Sequence, residues 1–292
     1  NGTNKYRLIL DFESDWGCLI RTTKADDWSK GTKWGFNGSG DQLKDGEAHT
    51  LYSGESDAVQ NIVMPGGEMY FYYTEFGTGM FVDFNYGKAD QCASSPAFKA
   101  IMTGVEKWLG MGVDGFRLDA VKHIYANETG PENKTFWNTF YNECNKIYKA
   151  NADKRAGLSG IVDENIFMVG EVLSGDGDCS PFYSGLPALF EFQFWWDLRN
   201  CLNGETIHNA GYGQHFPGSL PYRWNGHRAY RADAISTPKL ANHDEDRTAS
   251  SLGNYKPKIR QAAAVLLTAA GRPYIYQGEE LGYWGNADGK GD

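Results

Sequence analysis

The sequence predicts an α/β fold built on a parallel sheet and preceded by an all-β stretch. Three observations carry this reading. From about residue 96 onward, helical and extended patterns alternate, the signature of repeated βα units. Polar residues sit at the C-terminal tips of several different strands, as they do when a parallel sheet closes into a barrel. No glycine-rich phosphate fingerprint follows any strand, so an open nucleotide-binding sheet lacks its mark. Five strands can be placed where a complete (β/α)8 barrel has eight, so the expectation is a partial barrel.

The elements follow in order. Residues 1–66 read as all-β: "KYRLILDF" puts Tyr6, Leu8, Leu10 and Phe12 on one face. "CLIRTT" and "HTLYS" are further short strands, separated by turns of Gly, Ser, Asp and Asn. The texture changes around "MPGGE" at 64–68. "PAFKAIMTGVEKWLGMG" opens on Pro96 and aligns Ala97, Ile101, Val105, Trp108 and Leu109 in one helical stripe. The strand "VDGFRLD" follows, then a second stripe of Phe136, Phe140, Cys144, Ile147 and Tyr148. "IFMVGEV" (166–172), "LFEFQFWW" (189–196) and "TPKLANHD" (237–244) read as strands. "KIRQAAAVLLTAAG" is a helix with Gly271 as its C-cap, and "RPYIYQGEELG" is a last strand and loop.

Composition bounds the function. A chain of 292 residues with 41% hydrophobic content can bury one large core or two smaller ones. Its net charge of −9, without a basic run, argues against a nucleic-acid partner. The apolar run "AAAVLLTAA" falls far short of the roughly 20 residues that span a bilayer. No signal peptide is visible, and residue 1 does not read as a natural start. The 9 Trp and 17 Tyr serve either a large core or surfaces on which sugar rings stack, and composition alone favours the core. Five scattered cysteines form no CxxC pair, so no zinc site is visible, and spacing leaves thiol and disulfide open. Sequons at Asn1, Asn37, Asn127 and Asn133 lend weak support to secretion.

The chemistry concentrates in "GVDGFRLDAVKH". Side chains two apart on a strand share a face, so Arg117 and Asp119 point one way while Phe116 and Leu118 pack the other. The guanidinium should hold Asp119 ionised. Glu171 closes "FMVGEV" and Asp244 closes "KLANHD". The interval from 119 to 171 exceeds one βα unit of roughly 30 residues, and that from 171 to 244 holds two. Three carboxylates can therefore converge on one mouth. Crowding raises at least one of their pKa values, and a protonated acid beside an ionised carboxylate is the equipment of a glycosidase. Any one of them alone is more simply a helix cap or surface salt bridge. Together, with Arg117 and His243 alongside, they point to a site.

"GFRLDAVKHI" (115–124), "VGEV" (169–172) and "LANHDEDR" (240–247), in that order, resemble three consecutive signature segments of the α-amylase family of glycoside hydrolases. "FVDFNYG" (81–87) resembles the segment closing that family's B domain, and "GRPYIYQGEELG" its last barrel strand. The chain most resembles the cell-surface starch-utilisation α-amylases of gut Bacteroidetes. The resemblance implies barrel strands 4–8 over residues 96–292, the end of the B-domain insertion over 67–95, and part of a β-sandwich starch-binding insert over 1–66. It further implies a piece of a longer enzyme, without the Asn-His segment that ends the third barrel strand.

The resemblance also implies roles. Asp119 would be the nucleophile, Glu171 the general acid and base, and Asp244 the stabiliser of the strained sugar. Arg117 would orient Asp119, His243 would donate to sugar hydroxyls, and Lys122 and His123 would face the leaving group. Retention would follow, with about 5–5.5 Å between the Asp119 and Glu171 carboxyls. A structural Ca2+ would take the Asp83 side chain and the His123 carbonyl, oxygen donors that suit it; a loop cap serves Asp83 equally well. Trp16 and Trp28 would stack on starch, with Lys33 and Asn61 as hydrogen-bonding partners; the plainer alternative is a small core including Trp34. The substrates would be starch, amylose and maltooligosaccharides. The location would be extracellular or at the cell surface, anchored in an outer membrane beside other starch-binding proteins. The same carboxylates would serve α-1,6 cleavage or glucan transfer, and a non-catalytic starch-binding protein is a further alternative.

Overall fold

Helix and strand alternate from residue 96 as the periodicity requires, and the strands that result are short and parallel. The computed structural model describes residues 84–125, 127–153, 164–205 and 216–287, together with the backbone of five short strands before them. It divides into two compact units: Asn1–Gly104 with His123–Phe136, and Val105–Lys122 with Trp137–Asp292.

In the first unit, β1 (Tyr6–Leu8), β5 (Met69–Tyr73) and β4 (Val59–Val63) form one sheet in the order β1-β5-β4. The strands β2 (Leu19–Arg21) and β3 (Lys33–Gly35) pair antiparallel. These agree with the all-β reading; the "HTLYS" strand lies outside the described residues. Further along, Tyr86 and Phe98 pack on Phe136, with ring centroids 4.6 and 5.8 Å away. Asn133 is fully buried. Its amide accepts from the Tyr125 N–H at 2.8 Å and donates to the carbonyls of Tyr125 and Asn127. That sequon is therefore a structural loop clasp, and its side chain cannot carry a glycan.

The helix α1 (Pro96–Gly110) starts at its proline, where the missing N–H costs nothing. Phe98, Val105 and Leu109 are buried. Trp108, expected in the same stripe, is 49% exposed. It trails Val105 by three residues, about 60° off the buried line, and Lys107 covers its ring instead. In α2 (Pro131–Ala150), Phe136, Phe140, Cys144 and Tyr148 are buried as the 3.6-residue period demands, and Trp137 and Tyr141 widen the row.

The second unit holds β6 (Gly115–Leu118), β7 (Phe167–Gly170), β8 (Ala188–Glu191) and β9 (Ile235–Pro238), all parallel, in that order across the sheet. Gly115 lets β6 close on β7, since a Cβ there would meet the Phe167 carbonyl oxygen at 2.0 Å. Between and after these strands run the helices α3 (Asp176–Cys179), α4 (Phe192–Asn203), α5 (Phe216–Tyr230), α6 (Thr248–Ser251) and α7 (Lys256–Thr268). Phe194, Trp195, Leu198, Phe216, Leu240 and Leu266 form the core beneath them.

Three strand expectations are corrected. "LFEFQFWW" is a strand only to Glu191, after which the chain turns into α4. That helix buries Phe192, Phe194, Trp195 and Leu198, and its polar face of Gln193 and Asp197 is buried too, so its first turns read like a core strand. The strand in "TPKLANHD" ends at Pro238, well before Asp244. The fifth strand is reduced to one parallel bridge between Lys239 and Tyr274 among the described residues. Helix α7 ends at Thr268 with Ala269 as its cap, and Gly271 acts two residues later. With φ at 111° and a would-be Cβ 2.2 Å from the Ser236 carbonyl oxygen, it turns the chain back onto β9.

Candidate active site

The register of β6 on β7 builds the site. Arg117 pairs with Val169 and Leu118 with Gly170, so Asp119 and Glu171 emerge side by side one residue beyond their strands. Backbone bonds from the Glu171 N–H to the Leu118 carbonyl and from the Val121 N–H to the Glu171 carbonyl, 2.9 and 3.0 Å, hold both ends. Phe116 and Leu118, expected to pack tightly on the opposite face, are half-buried.

Arg117 forks between the two acids. One terminal nitrogen pairs with Asp119, and the other lies 2.9 Å from Glu171 Oε2. The Ala120 N–H reaches the same oxygen at 3.3 Å. Ala120 has φ of 45°, unusual for a residue with a Cβ, and this conformation carries the chain round from Asp119. The expectation gave Arg117 to Asp119 alone; the neighbouring strand brings Glu171 to it as well. The Asp119 side chain is 73% exposed and that of Glu171 only 9%.

Burial therefore acts differently on the two acids. It pushes Asp119 upward, but hydrogen bonds from Glu171 and Arg117, with the charges of Arg117 and His243, outweigh it and hold the carboxyl below its usual range. Burial pushes Glu171 up and the neighbouring Asp119 adds to this, while the Ala120 N–H and Arg117 relieve only part of it. One guanidinium thus bridges both carboxyls.

Asp244 sits in the turn after β9, where the Asn242 side chain accepts its N–H at 3.1 Å. His243 Nε2 lies 3.2 Å from Asp244 Oδ2. The charge of His243 reaches Asp119, and those of Glu171 and Asp244 both reach Lys239, so Asp244 lies within electrostatic reach of the same neighbourhood as the other two acids. Lys122 Nζ is 3.5 Å from Ser174 Oγ. His123 belongs to the first unit, where its Nδ1 faces Glu128 at 3.9 Å. Trp16, Trp28 and Asp83 lie outside the described residues. Lys33 and Asn61 are described by backbone alone, opposite Arg21 and Phe71.

Sequence reasoning missed the floor of this site. Lys239 is buried beneath it, paired with Glu245, whose other carboxylate oxygen accepts from Trp196 Nε1 at 2.7 Å. Arg247, also buried, donates to the Gln277 carbonyl at 2.8 Å and faces the Tyr276 ring at 4.7 Å. A lysine between Pro238 and Leu240 in an apolar strand was the available signal.

A family model described as the catalytic domain of α-amylase matches residues 68–291. The chain belongs to the α-amylase family. A second model, the CBM58 domain of the α-amylase SusG, matches residues 1–65. The chain is 44% identical to α-amylase SusG of Bacteroides thetaiotaomicron over 287 residues, 98% of this chain and 39% of that protein. Two solved structures share its fold. The α-amylase from H. orenii has a TM-score of 0.57 at 27% identity over 77% of this chain and 40% of the other. Eubacterium rectale Amy13B has 0.58 at 25% identity over 80% and 44%. The chain thus spans about two fifths of the length of these relatives. The four parallel strands are part of the family's (β/α)8 barrel.

The α-amylase family generally binds calcium. Among the described residues no group of three His, Cys, Asp or Glu side chains could hold a metal ion.

Proposed function

We propose that the protein hydrolyses α-1,4-glucosidic bonds within starch-like polysaccharides with retention of configuration. What carries this is the fork of Arg117 between a solvent-open carboxyl held low and a buried one pushed up. An Asp119 oxygen attacks the anomeric carbon as Glu171 gives its proton to the departing glycosidic oxygen; the C–O bond to the leaving chain breaks and a glycosyl ester forms. Water then transfers a proton to the Glu171 carboxylate and its oxygen displaces Asp119, restoring both groups. Asp244 and His243 bind ring hydroxyls and favour the oxocarbenium-like transition state, and Lys122 and His123 serve the leaving-group side. Relatedness to α-amylases supports these assignments.

Residues 1–65 bind starch in this reading, with Trp16 and Trp28 stacking on glucose rings and Lys33 and Asn61 donating to hydroxyls; the match to a CBM58 model supports it. A structural Ca2+ takes the Asp83 side chain and the His123 carbonyl. Polymeric substrates place the enzyme outside the cell, at its surface, among other starch-binding proteins. In the protein at its full natural length, Asp119→Asn should lower kcat by about 10⁴-fold or more while starch binding persists. A near-normal kcat on amylose would remove Asp119 from the nucleophile's place. Trp16→Ala with Trp28→Ala should weaken retention on granular starch more than hydrolysis of short maltooligosaccharides; equal losses in both assays would make them packing residues.

A further inference from the structure

We propose that Lys239 is a positioning residue: its ion pair with Glu245 pins the turn that presents His243 and Asp244 to the substrate. This rests on the glucan-hydrolase reading above. Lys239 is anchored in the sheet, where its backbone bridges Tyr274 and the Tyr274 N–H reaches the Pro238 carbonyl at 2.9 Å. From there its ammonium passes over the Phe192 ring, 3.9 Å from the centroid, to one oxygen of Glu245. Trp196 Nε1 takes the other oxygen at 2.7 Å. Both partners on Glu245 thus come from rigid elements, β9 with its bridge and α4. Glu245 is chained directly to Asp244, so holding its carboxylate down turns Asp244 and His243 out toward solvent.

Stability alone does not explain a lysine here. Its side chain is 3% exposed, and stripping an ammonium of water carries a penalty that an apolar residue of similar volume would avoid. The charges facing it show what it is arranged against. From the turn these are Glu245 and Asp244, and from the end of β7 Glu171. From α4, among the described residues, Phe192 and Trp196 contribute only uncharged rings. Burial pushes the ammonium's pKa down, while Glu245, Glu171 and Asp244 pull it back up. By reciprocity the ammonium favours the ionised form of Glu171.

The test measures kcat, KM and the pH profile on maltooligosaccharides for the full natural-length protein and three variants. Lys239→Met should lower kcat about 10- to 100-fold with KM within about twofold, because the turn loses its register. The alkaline limb of its profile should move to higher pH, since Glu171 loses a cation that favoured its ionised form. Glu245→Gln should lower kcat similarly but move the alkaline limb to lower pH, since the Lys239 ammonium then faces Glu171 without its partner anion. Lys239→Arg should restore most of kcat and leave the limbs in place. A role in packing alone would not give limb shifts of opposite sign. If Lys239→Met fails to fold, Glu245→Gln and Lys239→Arg decide: an unchanged profile in Glu245→Gln overturns the clamp. Active wild type with Lys239→Met and Glu245→Gln both at wild-type kcat and pH profile overturns the clamp alone. Wild type without turnover on any α-glucan overturns the hydrolase reading, and the clamp with it.

Discussion

Two ionic clusters flank the same parallel sheet, and they are built to opposite ends. In the first, Arg117 forks between Asp119 and Glu171 beyond β6 and β7, with Asp119 open to water. In the second, Arg223 of α5 forks between Asp176 and Asp197, 2.7 Å from each, and its side chain is 3% exposed. Nearby, His227 Nδ1 lies 3.3 Å from the buried Glu191. Gln193 donates to the remaining face of Asp197 at 2.8 Å. The chemistry of the two forks is the same, and water makes the difference. At Arg117 partial hydration leaves one carboxyl held below its usual range while burial pushes the other up, the difference an acid and base pair would need. At Arg223 burial opposes the charge, but Asp176, Glu191 and Asp197 overcome it and raise the pKa of the guanidinium. That cluster ties α3, α4 and α5 together, with Arg223 shut away from water.

If this contrast is right, the two forks should fail in different assays. The largest effect is expected at the sealed one. Arg223→Met strands two carboxylates and should cost about 3–5 kcal/mol in denaturant unfolding, with kcat per folded molecule unchanged. A melt indistinguishable from wild type would erase the distinction. Arg117→Met should leave unfolding nearly as it was and lower kcat/KM about 100-fold through lost positioning. It should also move both limbs of the pH profile upward. The acid limb rises because Asp119 loses the cation that keeps it ionised. The alkaline limb rises because Glu171 loses the same cation, which had favoured its ionised form. A profile that stayed put would show that Arg117 only fills space. The smallest change is a surface control: Lys146 pairs with Glu143 at 2.5 Å on the exposed side of α2, and Lys146→Ala should cost under about 0.5 kcal/mol.

Much of the first fork was legible in the sequence because it is local. Alternation along "GFRLD" sets Arg117 and Asp119 on one face, and the tips of successive strands suggested Glu171 and Asp244 as companions. The second fork was not legible. Asp176, Asp197 and Arg223 sit on three helices, and each residue alone reads as an ordinary surface charge. The same holds for Lys239 and Glu245, which meet only because the chain leaves β9 and doubles back in a turn. Helix α4 was hidden for another reason: its first turns are buried, polar residues included, and show the run of a core strand.

The sequence by itself determined the alternation of helix and strand, the shared face of Arg117 and Asp119, and membership of the α-amylase family, since periodicity and short motifs are properties of neighbours along the chain. Tertiary structure alone decided that Arg117 also holds Glu171, that Asp244 stands in a turn with Lys239 buried beneath it, and which of two like-looking ion clusters meets water. Those outcomes depend on strand register and desolvation, and both arise only when distant segments come into contact.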